Sequence, residues 1–249
     1  MSAGQCTVLL EHHLKALRLP TVLREYGKLA DYQTYLLRLA ERELADREVR
    51  AAERRVKAAK FPVFKTLDTF EFSAQPSINR ELVLELVRGE YIDRRENVLL
   101  CGNGGTGKTH VATALGFAAC QEGRRVRFYT ATGLVTQLLE RREDSQMERL
   151  LGGLERLHLL VLHELGYLPF SKAGAELLFE VVSRSYELVS LIVTTNLPFE
   201  QWVQVMGSER LTGPLLDRLT HHIHILEANR ESYRLRQSKG RAGRGRSKA

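Results

Sequence analysis

Gly102-Asn-Gly-Gly-Thr-Gly-Lys-Thr109 decides how this chain folds. The stretch fills the pattern G-x-x-x-x-G-K-[ST] in full. It follows the apolar run Asn97–Cys101 and precedes a helical pattern through Val111, Leu115 and Ala118, the strand–loop–helix setting the pattern requires. In that setting Gly102, Asn103, Gly104, Gly105, Thr106 and Gly107 form a loop whose backbone amides turn inward around phosphate oxygens, helped by the helix N-terminus. Lys108 then places a cation at the β- and γ-phosphates, and the Thr109 hydroxyl is positioned for Mg2+. The alternative is a glycine-rich strand–helix turn with a chance lysine, which leaves the complete pattern unexplained.

The sequence around this loop alternates short apolar runs with helical segments. The runs are Val98–Cys101, Val126–Tyr129, Leu159–Leu162, Leu191–Thr194 and Ile223–Leu226. Continuously apolar strands between helices predict a parallel sheet covered on both faces, an α/β fold. The length of 249 residues suffices for one sizeable core and a smaller accessory module. A net charge of +7 favours an anionic partner without proving one. Cys6, Cys101 and Cys120 are too few and too scattered for a disulfide framework or metal-ligand spacing, so a reduced, cytoplasmic protein is expected. The opening residues lack the pattern of a signal peptide. No apolar run approaches the ~18 residues of a membrane span.

Residues 8–60 read as helical. Leu9, Leu10, His13, Leu14 and Leu17 recur at helical spacing until Pro20. A longer helix follows, with Tyr35, Leu36, Leu39, Ala40 and Leu44 as its apolar side. From Arg38 to Lys60 there are eight basic and five acidic residues, which read either as i,i+4 ion pairs on a solvated face or as a module that touches phosphates. The linker 61–77, with two prolines and four phenylalanines, is expected to pack rather than float. From Arg234 onward there are seven basic residues and no acidic one, which reads as a disordered basic tail.

Further chemistry sits at the strand ends. The run Leu159–Leu162 leads into His163-Glu164. A glutamate at this tip can polarise the water that attacks the γ-phosphate, so Glu164 is the general-base candidate against a solvated strand end. Such sites place an aspartate just before it to hold Mg2+ through water. Here that position is His163. A neutral imidazole brings no negative charge and a protonated one repels the metal, so ATP binding is better supported than hydrolysis. Asn196 closes the next strand, as a γ-phosphate sensor or as simple strand termination. Arg218 is either an arginine finger for a neighbouring subunit or a partner of Asp217 or Glu209. His221, His222 and His224 alternate without an acidic or cysteine cluster around them.

The order of P-loop, strand, Glu strand and Asn strand is the AAA+ arrangement. The stretch from Phe61 to Arg236 resembles the IstB-like helper ATPases of insertion-sequence transposition, relatives of the DnaC helicase loader. The matching segments are Asp68-Thr-Phe-Glu-Phe-Ser-Ala-Gln-Pro76, the P-loop with Thr109-His110, Glu164-Leu-Gly-Tyr-Leu-Pro169, Thr195-Asn-Leu-Pro-Phe199 with Trp202, Leu216-Asp-Arg-Leu219-Thr-His-His222 and Glu231-Ser-Tyr-Arg234. The resemblance implies an N-terminal all-helical domain at 1–60 making DNA or partner contacts, a linker at 61–77, an AAA+ ATP-binding domain at 78–236 with a reduced lid, and a basic tail at 237–249. It implies ATP and Mg2+ as cofactors, with Thr109 as the Mg2+ contact and His163 in the place of the metal-holding aspartate. It implies a homo-oligomer assembled with ATP on double-stranded DNA. That assembly would bend a target site and engage the integrase-type transposase of the same element, away from any membrane. Lys108 and Thr109 carry over as nucleotide contacts, Glu164 as base, Asn196 as sensor, Arg218 as finger and Arg234 as second sensor. Three other readings stay open. A helicase loader would use exposed aromatics on single strands, a small-molecule kinase would need a substrate lid, and a silent DNA-binding partner would keep ATP as a structural ligand.

Overall fold

The computed structural model describes residues 3–26, 33–141 and 144–229. Arg234 and the basic tail therefore lie outside the described residues, as does Tyr32. The chain packs as two compact units, one through Arg54 and one from Arg55 onward.

The first unit is helical: α1 Ala3–Ala16, α2 Pro20–Glu25 and most of α3 Gln33–Ala59. Pro20 does more than end a run. It opens α2 at its first turn, where a missing N–H costs nothing and a fixed φ suits the helix. Leu10 and Leu14 of α1, and Leu17 just after it, bury with Leu37 and Ala40 of α3. The apolar side expected for α3 is corrected by this packing. Tyr35 is 66% and Leu39 53% exposed, because the buried stripe runs through Leu37, Ala40 and the partly buried Leu36 and Leu44.

In the second unit, residues 61–79 carry two short 3-10 turns, Leu67–Thr69 and Phe72–Ala74. Phe61 meets Phe128 with ring centroids 6.2 Å apart, and Phe64 meets Phe117 at 4.6 Å, so the phenylalanine-rich segment is tied down by aromatic contacts. After α4 Arg80–Leu86 and α5 Glu90–Asp93 the α/β core begins: β1 Asn97–Gly102, α6 Lys108–Gln121, β2 Val126–Thr130, α7 Ala131–Glu140, α8 Asp144–Glu155, β3 Leu159–Leu165, α9 Lys172–Ser185, β4 Ser190–Thr195, α10 Trp202–Met206, α11 Glu209–Thr220 and β5 Ile223–Ala228. The strands lie in the order β2-β3-β4-β1-β5, and every pairing is parallel.

One apolar cluster, with Leu134, Leu160, Leu178 and Trp202, packs α7 and α9 onto the sheet. The other, with Val111, Leu115, Val161 and Ile192, packs α6 onto the opposite face. Because side chains alternate along a strand, β3 feeds Leu160 and Leu162 to the first cluster and Leu159 and Val161 to the second. This is why its sequence reads as a continuous apolar run. Parallel strands bring all their C-terminal ends to one edge. The loops after β1, β3 and β4 therefore converge there, and they carry the residues singled out from the sequence.

Candidate nucleotide site

At the end of β1 the backbone demands glycine. Gly102 has φ 131°, and a Cβ there would fall 2.3 Å from the Ala228 carbonyl oxygen. Gly107 has φ 95°, and its Cβ would fall 2.7 Å from Cε2 of Phe70. These are close approaches that no other residue permits. The helix α6 starts directly afterwards at Lys108, so its free amides face the loop. Lys108 Nζ donates to the carbonyls of Gly102 and Asn103, each at 2.6 Å, and Thr106 Oγ1 donates to Asn103 O at 2.8 Å. Burial pushes the Lys108 ammonium below its ordinary range, while nearby Cys101 and Glu164 pull the other way. The loop is thus held open by its own cation, and a phosphate arriving there would trade carbonyl dipoles for full negative charge.

The tips of β3 and β4 face Thr109. The β3–β4 register shifts between Leu162 and Leu165, and within that bulge Glu164 takes φ 59°. A non-glycine residue in this region is strained, and such strain concentrates at functional sites. The Glu164 carboxylate is 55% exposed, so the bulge turns it out of the core instead of burying it. Thr194 Oγ1 accepts the Glu164 N–H at 3.0 Å and lies 2.6 Å from Nδ1 of His163. The direction of that second contact follows the tautomer of the ring. With Thr194 as the donor, a neutral ring carries its proton on Nε2. Nε2 lies 3.3 Å from Thr109 Oγ1 and 3.7 Å from a Glu164 carboxylate oxygen. Thr194 was missed in the sequence, because Thr194-Thr195-Asn196 draws attention only to its asparagine.

Linker and P-loop together enclose a cleft of about 440 Å³, within the size range of small-ligand sites. Lys65, Thr69, Phe70 and Gln75 form its linker side, and Gly105 to His110 with Thr113 its P-loop side. His110 Nε2 lies 2.8 Å from Thr66 O and 3.3 Å from Thr69 Oγ1, and its ring meets Phe70 edge-on at 5.0 Å. These contacts hold the linker against the phosphate loop.

The geometry fits a nucleoside triphosphate: a phosphate cradle, a buried lysine and an adjoining cleft. It does not fit the usual Mg2+ arrangement. Thr109 offers one hydroxyl oxygen. His163, in the carboxylate position, brings no negative charge to a metal-bound water.

The remaining candidates are dispersed. Asn196 is exposed one residue beyond β4, on the same sheet edge as Glu164. Arg218 pairs with neither Asp217 nor Glu209. Its guanidinium lies 5.1 Å over the Phe179 ring, and Nη1 donates to Pro214 O at 2.9 Å. It lines a small surface cleft with Arg95 and Asn97, and Asn97 is the first residue of β1, so Arg218 belongs to the edge opposite the P-loop. His221 pairs with Tyr186 OH at 3.0 Å and His224 with Glu96 at 2.7 Å. Among the described residues no group of three or more possible ligands could hold a metal, and no helix is long and apolar enough to cross a membrane.

Comparison with known proteins places this arrangement. A family model described as IstB-like ATP binding protein matches residues 7–241. The insertion sequence IS5376 ATP-binding protein of Geobacillus stearothermophilus is 35% identical over 238 residues, which is 92% of this chain and 95% of that protein. The insertion sequence IS21 ATP-binding protein of Pseudomonas aeruginosa is 38% identical over 230 residues, 92% and 85% of the two chains. Among solved structures, the replication initiator DnaA bound to AMPPCP and single-stranded DNA aligns with a TM-score of 0.56 at 22% identity. That alignment covers 69% of this chain and 52%, about half, of that one. DnaI aligns with a TM-score of 0.54 at 13% identity, over 68% of this chain and 89% of that one. At these identities the structures speak for the fold alone, an AAA+ core.

Proposed function

This chain belongs to the IstB-like family of ATP-binding proteins, and from that premise we propose that it is an ATP-dependent helper of insertion-sequence transposition. It binds ATP at the P-loop, assembles with copies of itself on double-stranded DNA, and engages the integrase-type transposase of the same element. The observation that carries the assembly is the placement of Arg218. The P-loop follows the last residue of β1, whereas Arg218 sits beside Asn97, the first. The six residues of β1 span roughly 17 Å. An arginine so placed is out of reach of its own subunit's phosphates and free to meet a neighbour's, so bound ATP becomes a bridge between copies.

Within one subunit, the amides at the start of α6 and Lys108 receive the triphosphate. Bound ATP supplies the phosphoanhydride to be cleaved and the negative charge that draws Arg218 of a neighbour. Glu164, turned outward by its bulge, orients water, and Asn196 lies on the same edge as its sensor partner. Because His163 brings no negative charge where a metal-bound water is held, hydrolysis is slow and binding is the main use of ATP.

The DNA contact rests on α3. Tyr35, Arg38, Leu39 and Arg42 stand at i, i+3, i+4 and i+7 and line one surface cleft together with Glu41 and Ala45. Arg38 and Arg42 have no carboxylate partner among the described residues, whereas Arg47 and Arg50 are held by Glu43 and Asp46. Free guanidinium groups on one face suit phosphates, a sequence-tolerant contact. The exposed Tyr35 also favours a second reading, a loader that stacks bases of single strands. Binding to duplex and single-stranded DNA of equal length, with and without ATP, separates the two. Tighter ATP-dependent binding to the duplex is expected, and preference for the single strand would move the assignment to the loader.

A further inference from the structure

Gln75 is 2% exposed, and neither its amide nitrogen nor its amide oxygen has a hydrogen-bond partner. A buried primary amide left without partners is destabilising, so a site that keeps one needs a reason for it. The backbone around it is fixed: Gln75 N donates to Phe72 O at 2.9 Å, and Ile78 N donates to Gln75 O at 3.1 Å. The side chain lines the same cleft as Gly105, Lys108 and Thr109. The P-loop fixes where the phosphates go, and the linker wall is what the cleft offers to the rest of the nucleotide.

From this juxtaposition we propose that Gln75 is the base-holding residue of the nucleotide site, and that its amide pairs with the edge of a purine seated in the cleft beside Phe70. The inference rests on the ATP-binding reading above and names the residue that makes that site prefer a nucleotide to bare phosphate. An amide places one donor and one acceptor side by side. Adenine answers with an exocyclic N–H donor next to a ring-nitrogen acceptor, the pairing that glutamine makes with adenine in other settings. A turn about the side-chain torsions brings the amide to the base and breaks no hydrogen bond, because it makes none beforehand. Phe70, whose ring already touches the P-loop through Gly107, supplies apolar surface for the flat ring.

The test is equilibrium binding of ATP and of inorganic tripolyphosphate to the full chain, comparing wild type with Gln75→Met. Methionine keeps the length and apolar stem and removes both hydrogen-bonding groups. The variant is expected to bind ATP about tenfold more weakly, the worth of two modest hydrogen bonds, and to bind tripolyphosphate unchanged. Its thermal midpoint without ligand is expected to be equal or higher, because an unpaired buried amide has been removed. Gln75→Asn, which keeps the amide and shortens its reach, is expected to lose ATP affinity in the same direction. Unchanged ATP affinity in Gln75→Met, or an equal fall for ATP and tripolyphosphate, overturns the assignment. Failure of the wild type to bind either ligand would instead remove the nucleotide site itself, and the base-holding role with it.

Discussion

Glu164 holds a left-handed backbone within the β3 bulge, beside the phosphate loop. Its φ of 59° suits glycine, and the neighbouring Gly166, at φ 100°, could have absorbed the turn. Glu164→Gly is therefore expected to raise unfolding stability by about 1 kcal/mol while removing ATP turnover, as read by chemical denaturation and phosphate release. A variant both less stable and fully active would mean that the bulge serves packing. His163 carries a second prediction. In the protein labelled with nitrogen-15, Nδ1 of His163 should show the shift of an unprotonated ring nitrogen, and Thr194→Val should abolish that tautomer preference. A protonated Nδ1 would reverse that contact and make Nε2 an acceptor. If the missing negative charge at this position limits hydrolysis, His163→Asp should raise Mg2+-dependent turnover by about tenfold or more, since a metal-holding carboxylate stabilises charge in the transition state.

At the scale of elements, the five strands and the P-loop were legible because each is bounded by local signals. Apolar runs between helices give the parallel sheet, and glycines mark the loop whose backbone must close on Ala228 and Phe70. What was not legible needed tertiary partners. The apolar side of α3 was misplaced, because several helical stripes fit its leucines and only packing against Leu10 and Leu14 selects the one through Leu37 and Ala40. Thr194 and Gln75 are inconspicuous in sequence, since one gains meaning from β3 beside it and the other from the P-loop opposite. The corrected face of α3 leads to its own prediction. Arg38→Ala with Arg42→Ala should weaken duplex binding and lower the slope of log affinity against log salt by about 2, close to 0.9 for each phosphate no longer neutralised. The control pair Arg47→Ala with Arg50→Ala, whose charges are already matched, should change it far less. Equal effects from both pairs would place the DNA elsewhere.

For the whole molecule, the two edges of one sheet set the logic. On the proposed reading, nucleotide sits at the end where strands finish and Arg218 at the end where they start, so a single subunit holds two incomplete halves. Joining copies would then complete a site at each junction, and ATP would become a condition for assembly. The most direct test is sedimentation of the full chain on duplex DNA with and without ATP, alongside Lys108→Ala and Arg218→Ala. The account predicts large complexes only when ATP is present, loss of them in both variants, and retention of ATP binding in Arg218→Ala alone. Complexes of the same size without ATP, or undiminished assembly in Lys108→Ala, would contradict it.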